Sequence, residues 1–280
     1  MGPDQVLYVV ATPIGNLADM VPRAIEVLQS ADLVAAEDTR HSQRLFSHFS
    51  INTPLVAYHD HSDDKRTAEL LAQLEAGRTI ALISDAGTPL ISDPGYRLVR
   101  EARNRGIKVV PVPGACAFVA ALSAAGLPSD RFSFEGFLPA KPGARANALQ
   151  ALAGDPRTLV FYEAPHRVAD TLDAMAAAFG DEREAVIARE VTKAFETFHM
   201  APLAELAAWV RADSNQQRGE IVLLVRGAEG GESGEVDAEA QRVMGLLMAE
   251  LPPKRAAALA AEITGVKKKA LYNWALAQKD

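Results

Sequence analysis

The sequence predicts an α/β protein, because short apolar segments of β-rich composition alternate with helical patterns along most of the chain. Several of the strands are almost wholly apolar, which favours mostly parallel sheets whose strands are buried on both faces. The 280 residues, 49% of them hydrophobic, are enough for about two domains at roughly 150 residues each. We predict two α/β domains followed by a small all-α unit.

The predicted elements follow one another in a regular order. The strands are Val6–Ala11, Leu33–Ala36, Thr79–Ser84, Lys108–Val112, Arg131–Gly136, Thr158–Tyr162, Ala185–Arg189 and Glu220–Arg226. The helices are Val21–Ser30, Asp64–Glu75, Pro94–Arg105, Gly143–Leu152, Pro165–Phe179 and Pro202–Ala212. Many of the strands end in turns rich in Gly, Pro, Asp and Ser, the residues that favour turns.

Two breaks divide the chain. A Gly-Leu-Pro-Ser segment at 126–129 precedes a new strand, so we expect one α/β domain at 1–126 and a second at 127–226. Residues 227–235 are Gly-rich and acidic, which is typical of a flexible linker. Beyond it, residues 236–280 contain three helical patterns, Val236–Glu250, Pro252–Ile263 and Lys267–Ala277, and the last two resemble a helix-turn-helix.

Composition excludes several classes of protein. A single cysteine, Cys116, rules out an intrachain disulfide, and its apolar neighbours predict a small buried hydrophobe. No secretory signal and no membrane-spanning run is evident, so we expect a soluble cytoplasmic protein. The net charge of −7 argues against a general nucleic-acid binder, yet residues 251–279 carry six cations and one anion. That basic end indicates a polyanionic partner.

Three turns rich in glycine and proline come directly after predicted strands, at residues 11–17, 84–95 and 111–115. In α/β sheets, ligands bind beyond the carboxyl ends of the strands, so three such turns indicate a ligand cleft. The sequence has neither the dinucleotide fingerprint of glycines nor a phosphate-binding P-loop. A Rossmann-type dehydrogenase or methyltransferase is therefore disfavoured.

Polar clusters also follow strands, at residues 37–41, 163–167 and 189–193. For Asp38 and Pro165 the alternative is a structural role at a helix N-terminus. His59 and His61 have the residue types of a metal site, but a helix N-cap at Ser62 or Asp63 and a polar wall of a substrate site explain the segment better, and we expect no metal.

Five motifs together carry a family resemblance. They are Tyr8–Leu17, Ala36–Arg40, Ser84–Gly95, Phe161–Arg167 and Ala188–Lys193. In this order they resemble the tetrapyrrole methylase superfamily, in particular its branch that acts on small-subunit ribosomal RNA. The resemblance spans about residues 6–226 and extends to the C-terminal unit.

The resemblance implies a fold and a ligand. It implies two α/β domains with S-adenosylmethionine in an inter-domain cleft, a homodimer, no metal, and 2′-O-methylation of a cytidine ribose in small-subunit (16S) ribosomal RNA. Matched by motif position, the expected cofactor-binding residues are Pro13, Ile14, Asp85, Ala86, Gly87, Thr88, Leu90, Ile91, Ser92, Ala115, Cys116, Tyr162, Gly219, Glu220 and Ile221.

The chemistry needs alignment of two reactants and a group that makes a sugar hydroxyl nucleophilic. The candidate catalytic residues are Glu163, His166, Asp38, Arg40, His59, Glu190 and Lys193. Glu163 and His166 are preferred as base because they adjoin Tyr162. Arg40, Arg167, Arg189 and Lys193 are candidates to hold phosphates or to lower the pKa of the hydroxyl.

The last predicted helix opens with Lys267, Lys268 and Lys269, which we expect to contact RNA phosphates. The expected partner is the small-subunit RNA within the assembled subunit. Two alternatives remain open. One is a methyltransferase of the same superfamily with a tetrapyrrole or other small acceptor. The other is a ligand-sensing regulator whose helix-turn-helix binds DNA.

Overall fold

The computed structural model describes residues 5–59, 64–92, 95–228, 236 and 238–277. The chain forms two compact units, residues 1–151 with 158–226, and residues 152–157 with 227–280. Among the described residues, no helix is long and apolar enough to cross a membrane. The candidate site lies within the first unit, which holds both sheets.

The first sheet is wholly parallel. Its strands are β1 (Val6–Val10), β2 (Leu33–Ala36), β3 (Leu55–Ala57), β4 (Thr79–Ile83) and β5 (Lys108–Val112), in the spatial order β3-β2-β4-β1-β5. Its central strands are buried on both faces, as their apolar sequences predict. The carboxyl ends of all its strands therefore lie at one edge.

The second sheet is mixed. Its strands are β6 (Phe132–Phe137), β7 (Thr158–Glu163), β8 (Glu184–Arg189), β9 (Thr197–Pro202) and β10 (Ile221–Val225), in the order β6-β7-β10-β8-β9. Only β6 and β7 run parallel; β10 is antiparallel to β7 and to β8, and β8 is antiparallel to β9. The expectation of mostly parallel sheets is wrong here, because β8 and β9 are joined by a short turn without a crossover helix.

Eight helices complete the first unit as described. They are α1 (Pro22–Ser30), α2 (Thr39–His48), α3 (Asp64–Glu75), α4 (Tyr96–Asn104), α5 (Ala117–Ala124), α6 (Pro142–Leu152), α7 (Val168–Phe179) and α8 (Leu203–Ala212). Helix α5 joins the core of the second sheet, where Phe118 and Ala121 pack with Val160 and Val222. It follows β5 directly, so one connection links the first sheet to the core of the second.

The predicted strands are all present, with ends shifted by a residue or two. The sequence analysis did not predict β3, β9, α2 or α5. The predicted helix from Pro165 begins as a short 3-10 turn at Pro165–Arg167 before α7. The predicted start of α4 at Pro94, the caps Ser62 and Asp63, and residues 229–235 of the predicted linker lie outside the described residues.

The C-terminal unit contains α9 (Ala238–Glu250), α10 (Pro253–Thr264) and α11 (Lys268–Ala277). Small alanines of α10 allow close packing: Ala256, Ala257 and Ala260 are buried with Met244 and Leu271. Gly265 ends α10 in the left-handed conformation, at φ 75°, and so provides the turn of the helix-turn-helix.

Candidate active site

Three loops at the carboxyl edge of the first sheet are tied to one another by hydrogen bonds. The backbone N–H groups of Thr12 and Gly87 each donate to the other's carbonyl oxygen, at 2.9 and 3.0 Å. The Thr88 hydroxyl donates to the Ala115 carbonyl at 2.9 Å. These bonds join the loops after β1, β4 and β5 into one continuous wall.

The loop after β4 holds an unusual backbone. Gly87, Leu90 and Ser92 all have positive φ, at 79°, 72° and 61°, a region that costs non-glycine residues energy. A Cβ added at Gly87 would lie 3.2 Å from the Ile14 side chain, so only glycine fits here without displacement. Such strain in a cleft loop is typical of a functional site.

The second sheet contributes the facing wall. Tyr162, near the end of β7, accepts a hydrogen bond at its hydroxyl from the Phe118 backbone N–H at 3.3 Å. Gly219 and Glu220 precede β10, and Glu190 and Val191 follow β8, so both segments lie at the same edge as the end of β7. The two walls enclose a cavity of about 390 Å³, within the range of small-molecule sites.

Most of the expected cofactor-binding residues line this cavity. They are Ile14, Ala86, Gly87, Thr88, Ile91, Ser92, Cys116, Tyr162, Gly219, Glu220 and Ile221. Pro13, Asp85, Leu90 and Ala115 are not in its lining. Asp85 instead joins the loop after β4 to the loop after β2, because its Oδ1 accepts from the Asp38 backbone N–H at 2.9 Å.

The sequence analysis missed several lining residues, namely Ala117, Phe137, Ala164, Pro165, Val191 and Val222. Glu163 also belongs to the lining. Ala117 and Val222 lie next to predicted residues, so extending the motifs by one residue would have found them. Phe137 had no such signal, since it lies one residue beyond the predicted end of its strand.

Glu163, the preferred catalytic base, is fully engaged inside the protein. Its carboxylate accepts from the Ala164 backbone N–H at 2.7 Å and from the Thr171 hydroxyl at 2.6 Å, and it pairs with Arg167 at 3.3 Å. Its side chain has 0% exposure. These contacts favour a role in fixing the turn after β7. His166, in that turn, is exposed and is not part of the cavity lining.

Glu190, Lys193 and Glu220 form an ion cluster at the cavity edge. The Lys193 ammonium lies 3.0 Å from Glu190 Oε1 and 3.1 Å from Glu220 Oε2, and the Glu220 backbone N–H donates to Glu190 at 2.9 Å. The Lys193 stem lies directly on Gly15, where any Cβ would collide with it. This side chain therefore links the first loop of one sheet to the edge of the other.

The cluster keeps both of its inner groups charged. Burial opposes ionisation of Glu190, but the Glu220 backbone N–H and Lys193 outweigh it and lower the pKa of Glu190 below its ordinary value. Burial likewise opposes the charge on Lys193, but its bonds to Glu190 and Glu220 raise the pKa above the ordinary lysine value. The Lys193 ammonium is therefore held between two carboxylates, and only Glu220 of the three residues lines the cavity.

Asp38 and Arg40 have a structural explanation. Asp38 caps α2, accepting from the backbone N–H groups of Arg40 and His41 at 2.7 and 3.4 Å. Its pKa is lowered, first by the hydrogen bond from the Arg40 side chain and then by these backbone bonds. Arg40 is 91% exposed in its side chain. Neither residue lines the cavity.

Two arginines proposed to hold phosphates are also engaged internally. Arg189 is buried and donates to Gln216, the Phe195 carbonyl and Thr197 at 3.1–3.2 Å. Arg167 donates to the Leu138 carbonyl at 2.8 Å. Both therefore hold loops in place, and the expectation that they contact phosphates is not favoured by these contacts.

The remaining histidine and cysteine predictions have mixed outcomes. His59 is exposed, and His61 lies outside the described residues. Within the described ranges, no group of three or more His, Cys, Asp or Glu could hold a metal ion. Cys116 is partly buried and lines the cavity, so the prediction of a small buried hydrophobe is wrong.

Two facing sheets with a loop-lined cavity at their shared edge define the fold of a particular class of transferase. The chain belongs to the tetrapyrrole (corrin/porphyrin) methylase family, whose sequence profile matches residues 6–207, and the profile of the RsmI C-terminal HTH domain matches residues 234–279. The resemblance inferred from the motifs and the predicted fold class are both confirmed. The chain is a methyltransferase.

Full-length relatives carry a more particular name. The chain is 62% identical over 271 residues to ribosomal RNA small subunit methyltransferase I of Pseudomonas aeruginosa, covering 96% of each chain. It is 58% identical over 273 residues to the protein of that name from Escherichia coli O157:H7, covering 98% of this chain and 95% of the relative.

Solved structures share the fold at low identity. A cobalt precorrin-4 methyltransferase matches with a TM-score of 0.61 and 17% identity, over 81% of this chain and 96% of its own. A uroporphyrin-III C-methyltransferase from Thermus thermophilus, complexed with S-adenyl homocysteine, matches with a TM-score of 0.54 and 19% identity. The match covers 79% of this chain and 96% of that structure's chain.

Proposed function

We propose that this chain transfers a methyl group from S-adenosylmethionine to the ribose 2′-hydroxyl of a cytidine in small-subunit (16S) ribosomal RNA. The observation that carries the proposal is a donor-sized cavity at the shared edge of the two sheets in a chain that matches rRNA methyltransferases over nearly its whole length. The acceptor nucleotide comes from the motif resemblance.

The cavity fits the donor in size and chemistry. Glycine, alanine and small hydroxyl residues line one side, so a ligand can approach the backbone closely. Thr12, whose backbone pairs with Gly87, has a buried hydroxyl without a hydrogen-bond partner among the described residues. The Glu220 carboxylate lines the other side, and its charge suits a donor that carries an ammonium and a sulfonium.

When bound, S-adenosylmethionine supplies an activated methyl group, so the chain itself must align the acceptor and manage one proton. We assign the activation of the attacking 2′-hydroxyl to the ion cluster of Glu190, Lys193 and Glu220. Lys193 stabilises the negative charge that develops on the 2′-oxygen. Glu220 lines the cavity with a side chain that is 69% exposed, and it accepts the proton of the hydroxyl.

Two of the other predicted catalytic residues, Glu190 and Glu163, support this arrangement. Glu190 holds Lys193 in place through the 3.0 Å ion pair. Glu163 fixes the turn that carries Ala164 and Pro165 into the cavity wall. The hydrogen bonds of Asp38 are those of a helix cap. These roles are positioning roles, because the groups act through their neighbours.

The C-terminal unit supplies RNA affinity. Lys267, Lys268 and Lys269 are exposed at the start of α11, and Lys254 and Arg255 are exposed at the start of α10. Lysines placed in this way contact phosphates and give salt-dependent binding with little sequence information. They favour a polyanion over a small tetrapyrrole as the acceptor.

We extend the proposal to the partners that the resemblance implies. The acceptor is the RNA within the assembled small subunit, the enzyme acts as a homodimer, and it works in the cytoplasm, where that substrate is found. Size-exclusion chromatography with light scattering tests the dimer, and a mass corresponding to one chain would contradict it.

The decisive experiment offers one labelled donor to several acceptors. Purified protein is incubated with methyl-labelled S-adenosylmethionine and small ribosomal subunits that lack the modification, naked 16S RNA, a corrin precursor, or duplex DNA. We expect label only in ribosomal RNA, and nuclease digestion should place it on a cytidine ribose. Label in the corrin precursor would establish the tetrapyrrole alternative, and no label in any acceptor would overturn the proposal.

A further inference from the structure

We infer that Phe137 is the stacking platform for the base of the target nucleotide, and so a specificity-determining residue of the acceptor site. This inference rests on the proposed function and deepens it. Phe137 lines the cavity, yet the residue is 57% exposed. An aromatic side chain that lines a cavity and stays more than half exposed stands at its entrance.

A backbone irregularity aims this ring. The pairing of β6 with β7 shifts register between Phe134 and Gly136, which marks a β-bulge, and Gly136 has φ 65°. Side chains alternate between faces in a regular strand, so residues three apart point to opposite sides. Bulges re-aim side chains in this way, often next to active sites.

The result is visible in the aromatic contacts. Phe134 and Phe137 both pack against Tyr162, with ring centroids 4.9 and 5.6 Å away. Without the bulge, only one of the two phenylalanines would share a face with Tyr162. The bulge therefore places Phe137 beside the cavity-lining tyrosine and supports one side of its ring.

The chemistry of the acceptor explains why an aromatic ring belongs there. RNA bases that are recognised in unpaired form stack on Phe, Tyr, Trp or His side chains. The ion cluster of Lys193 and Glu220 lies at the same sheet edge, since Glu220 precedes β10 and β10 pairs with β7 beside β6. A base on Phe137 would leave its ribose free to reach that cluster.

The test compares substitutions at this one position. Phe137→Ala and Phe137→Leu should each lower kcat/KM for small ribosomal subunits roughly 10- to 100-fold, the range expected for loss of one base stack. Phe137→Trp should retain most of the activity. If Phe137 only filled space in the cavity wall, Phe137→Leu would keep a higher kcat/KM than Phe137→Trp, which is the reverse of the expected ranking.

A matched control lies on the same strand. Phe132 begins β6, is 42% exposed and is absent from the cavity lining. Phe132→Ala should leave kcat/KM within about twofold of the wild type. Gly136→Ala, which opposes the positive φ of the bulge, should reproduce the defect of Phe137→Ala without removing the ring.

Calorimetry with S-adenosylhomocysteine distinguishes a failure of the inference about Phe137 from a failure of the proposed function. Phe137→Ala should bind it as the wild type does. Loss of that binding would overturn the inference and make Phe137 part of the donor site, and unchanged kcat/KM in Phe137→Ala would overturn it as well. If the wild type itself transfers no methyl group to ribosomal RNA, the proposed function fails, whatever the variants do.

Discussion

The two walls of the cavity differ in kind. The wall from the first sheet is made of small residues on three mutually bonded loops, and its contacts run largely through the backbone. The wall from the second sheet carries Tyr162, Phe137 and the ion cluster around Lys193. A wall of backbone suits a donor that stays the same, whereas a wall of distinctive side chains suits recognition of one acceptor. We infer that the wall from the first sheet serves the donor, whereas the wall from the second sheet contacts the donor and also carries the groups that recognise the acceptor.

The largest effect is expected from the donor wall. Gly87→Val adds a branched side chain where even a Cβ would lie 3.2 Å from Ile14, at a φ of 79° that valine disfavours. Binding of S-adenosylhomocysteine, measured by calorimetry, should weaken by at least about 100-fold, the equivalent of roughly 3 kcal/mol of steric and backbone cost. If Gly87→Val kept its affinity for S-adenosylhomocysteine but no longer methylated RNA, the wall from the first sheet would serve the acceptor and not the donor.

A change in the wall from the second sheet should lower the rate of methyl transfer and leave the affinity for the donor nearly unchanged. Lys193→Met keeps the stem that lies on Gly15 but removes the charge between Glu190 and Glu220. We expect kcat to fall about 100-fold, as for loss of one group that stabilises transition-state charge. Calorimetric affinity for S-adenosylhomocysteine should stay within a fewfold of the wild type. A full loss of donor binding with this variant would contradict the division between the walls.

The C-terminal lysines should affect affinity and leave the chemistry alone. Replacing Lys267, Lys268 and Lys269 by Ala should weaken binding to ribosomal RNA and make the slope of log affinity against log salt shallower by about two units, since each phosphate contact contributes roughly 0.7 to 0.9. Filter binding over a salt series measures this slope. The same slope in the triple variant would place the RNA contacts elsewhere.

The pH dependence of stability should show a broad plateau. Glu190 has a lowered pKa, so its contribution is present above the ordinary carboxylate pKa and is lost only as the pH falls through the lowered value. Lys193 has a raised pKa, so its contribution is present below the ordinary lysine pKa and is lost as the pH rises through the raised value. The difference in Tm between the wild type and Lys193→Met should therefore be constant near neutrality and shrink at both extremes. A difference that changes between pH 6 and 8 would contradict these roles.

The smallest effect is expected at Asp38. Asp38→Ala removes the cap of α2 and should lower Tm slightly. Asp38→Asn should have a Tm close to that of the wild type, because asparagine also caps helices. Turnover per folded molecule should be unchanged in both variants. A large fall in kcat for Asp38→Asn would return this residue to the list of catalytic candidates.

Much of the fold could be predicted from local patterns. Continuous apolar runs predict the parallel strands β1, β2 and β4, which are largely buried, and the mostly apolar segment of β5, in which only Val112 is buried. Strand β3 was not predicted from the sequence because it has only three residues. Helix α5 was not predicted because its sequence is apolar nearly all round and shows no amphipathic period, although only Phe118, Ala121 and Leu122 are buried in the helix.

The site was partly predictable for a related reason. Loops of glycine, proline and small residues are visible in the sequence, and most of those expected residues line the cavity. The partners of charged groups are not visible in the sequence. Glu163 looks like a catalytic acid or base until Thr171, eight residues along the chain, is found to donate to it. The direction of Phe137 depends on a bulge, which only the pairing with β7 reveals.

A crystal structure with bound S-adenosylhomocysteine tests the central claim most directly. We predict that its adenosine lies among the loops after β1, β4 and β5, and that its sulfur faces the edge that carries Lys193 and Phe137. Electron density for the ligand outside the cavity, or with the sulfur directed away from that edge, would contradict this assignment of the donor and acceptor sides.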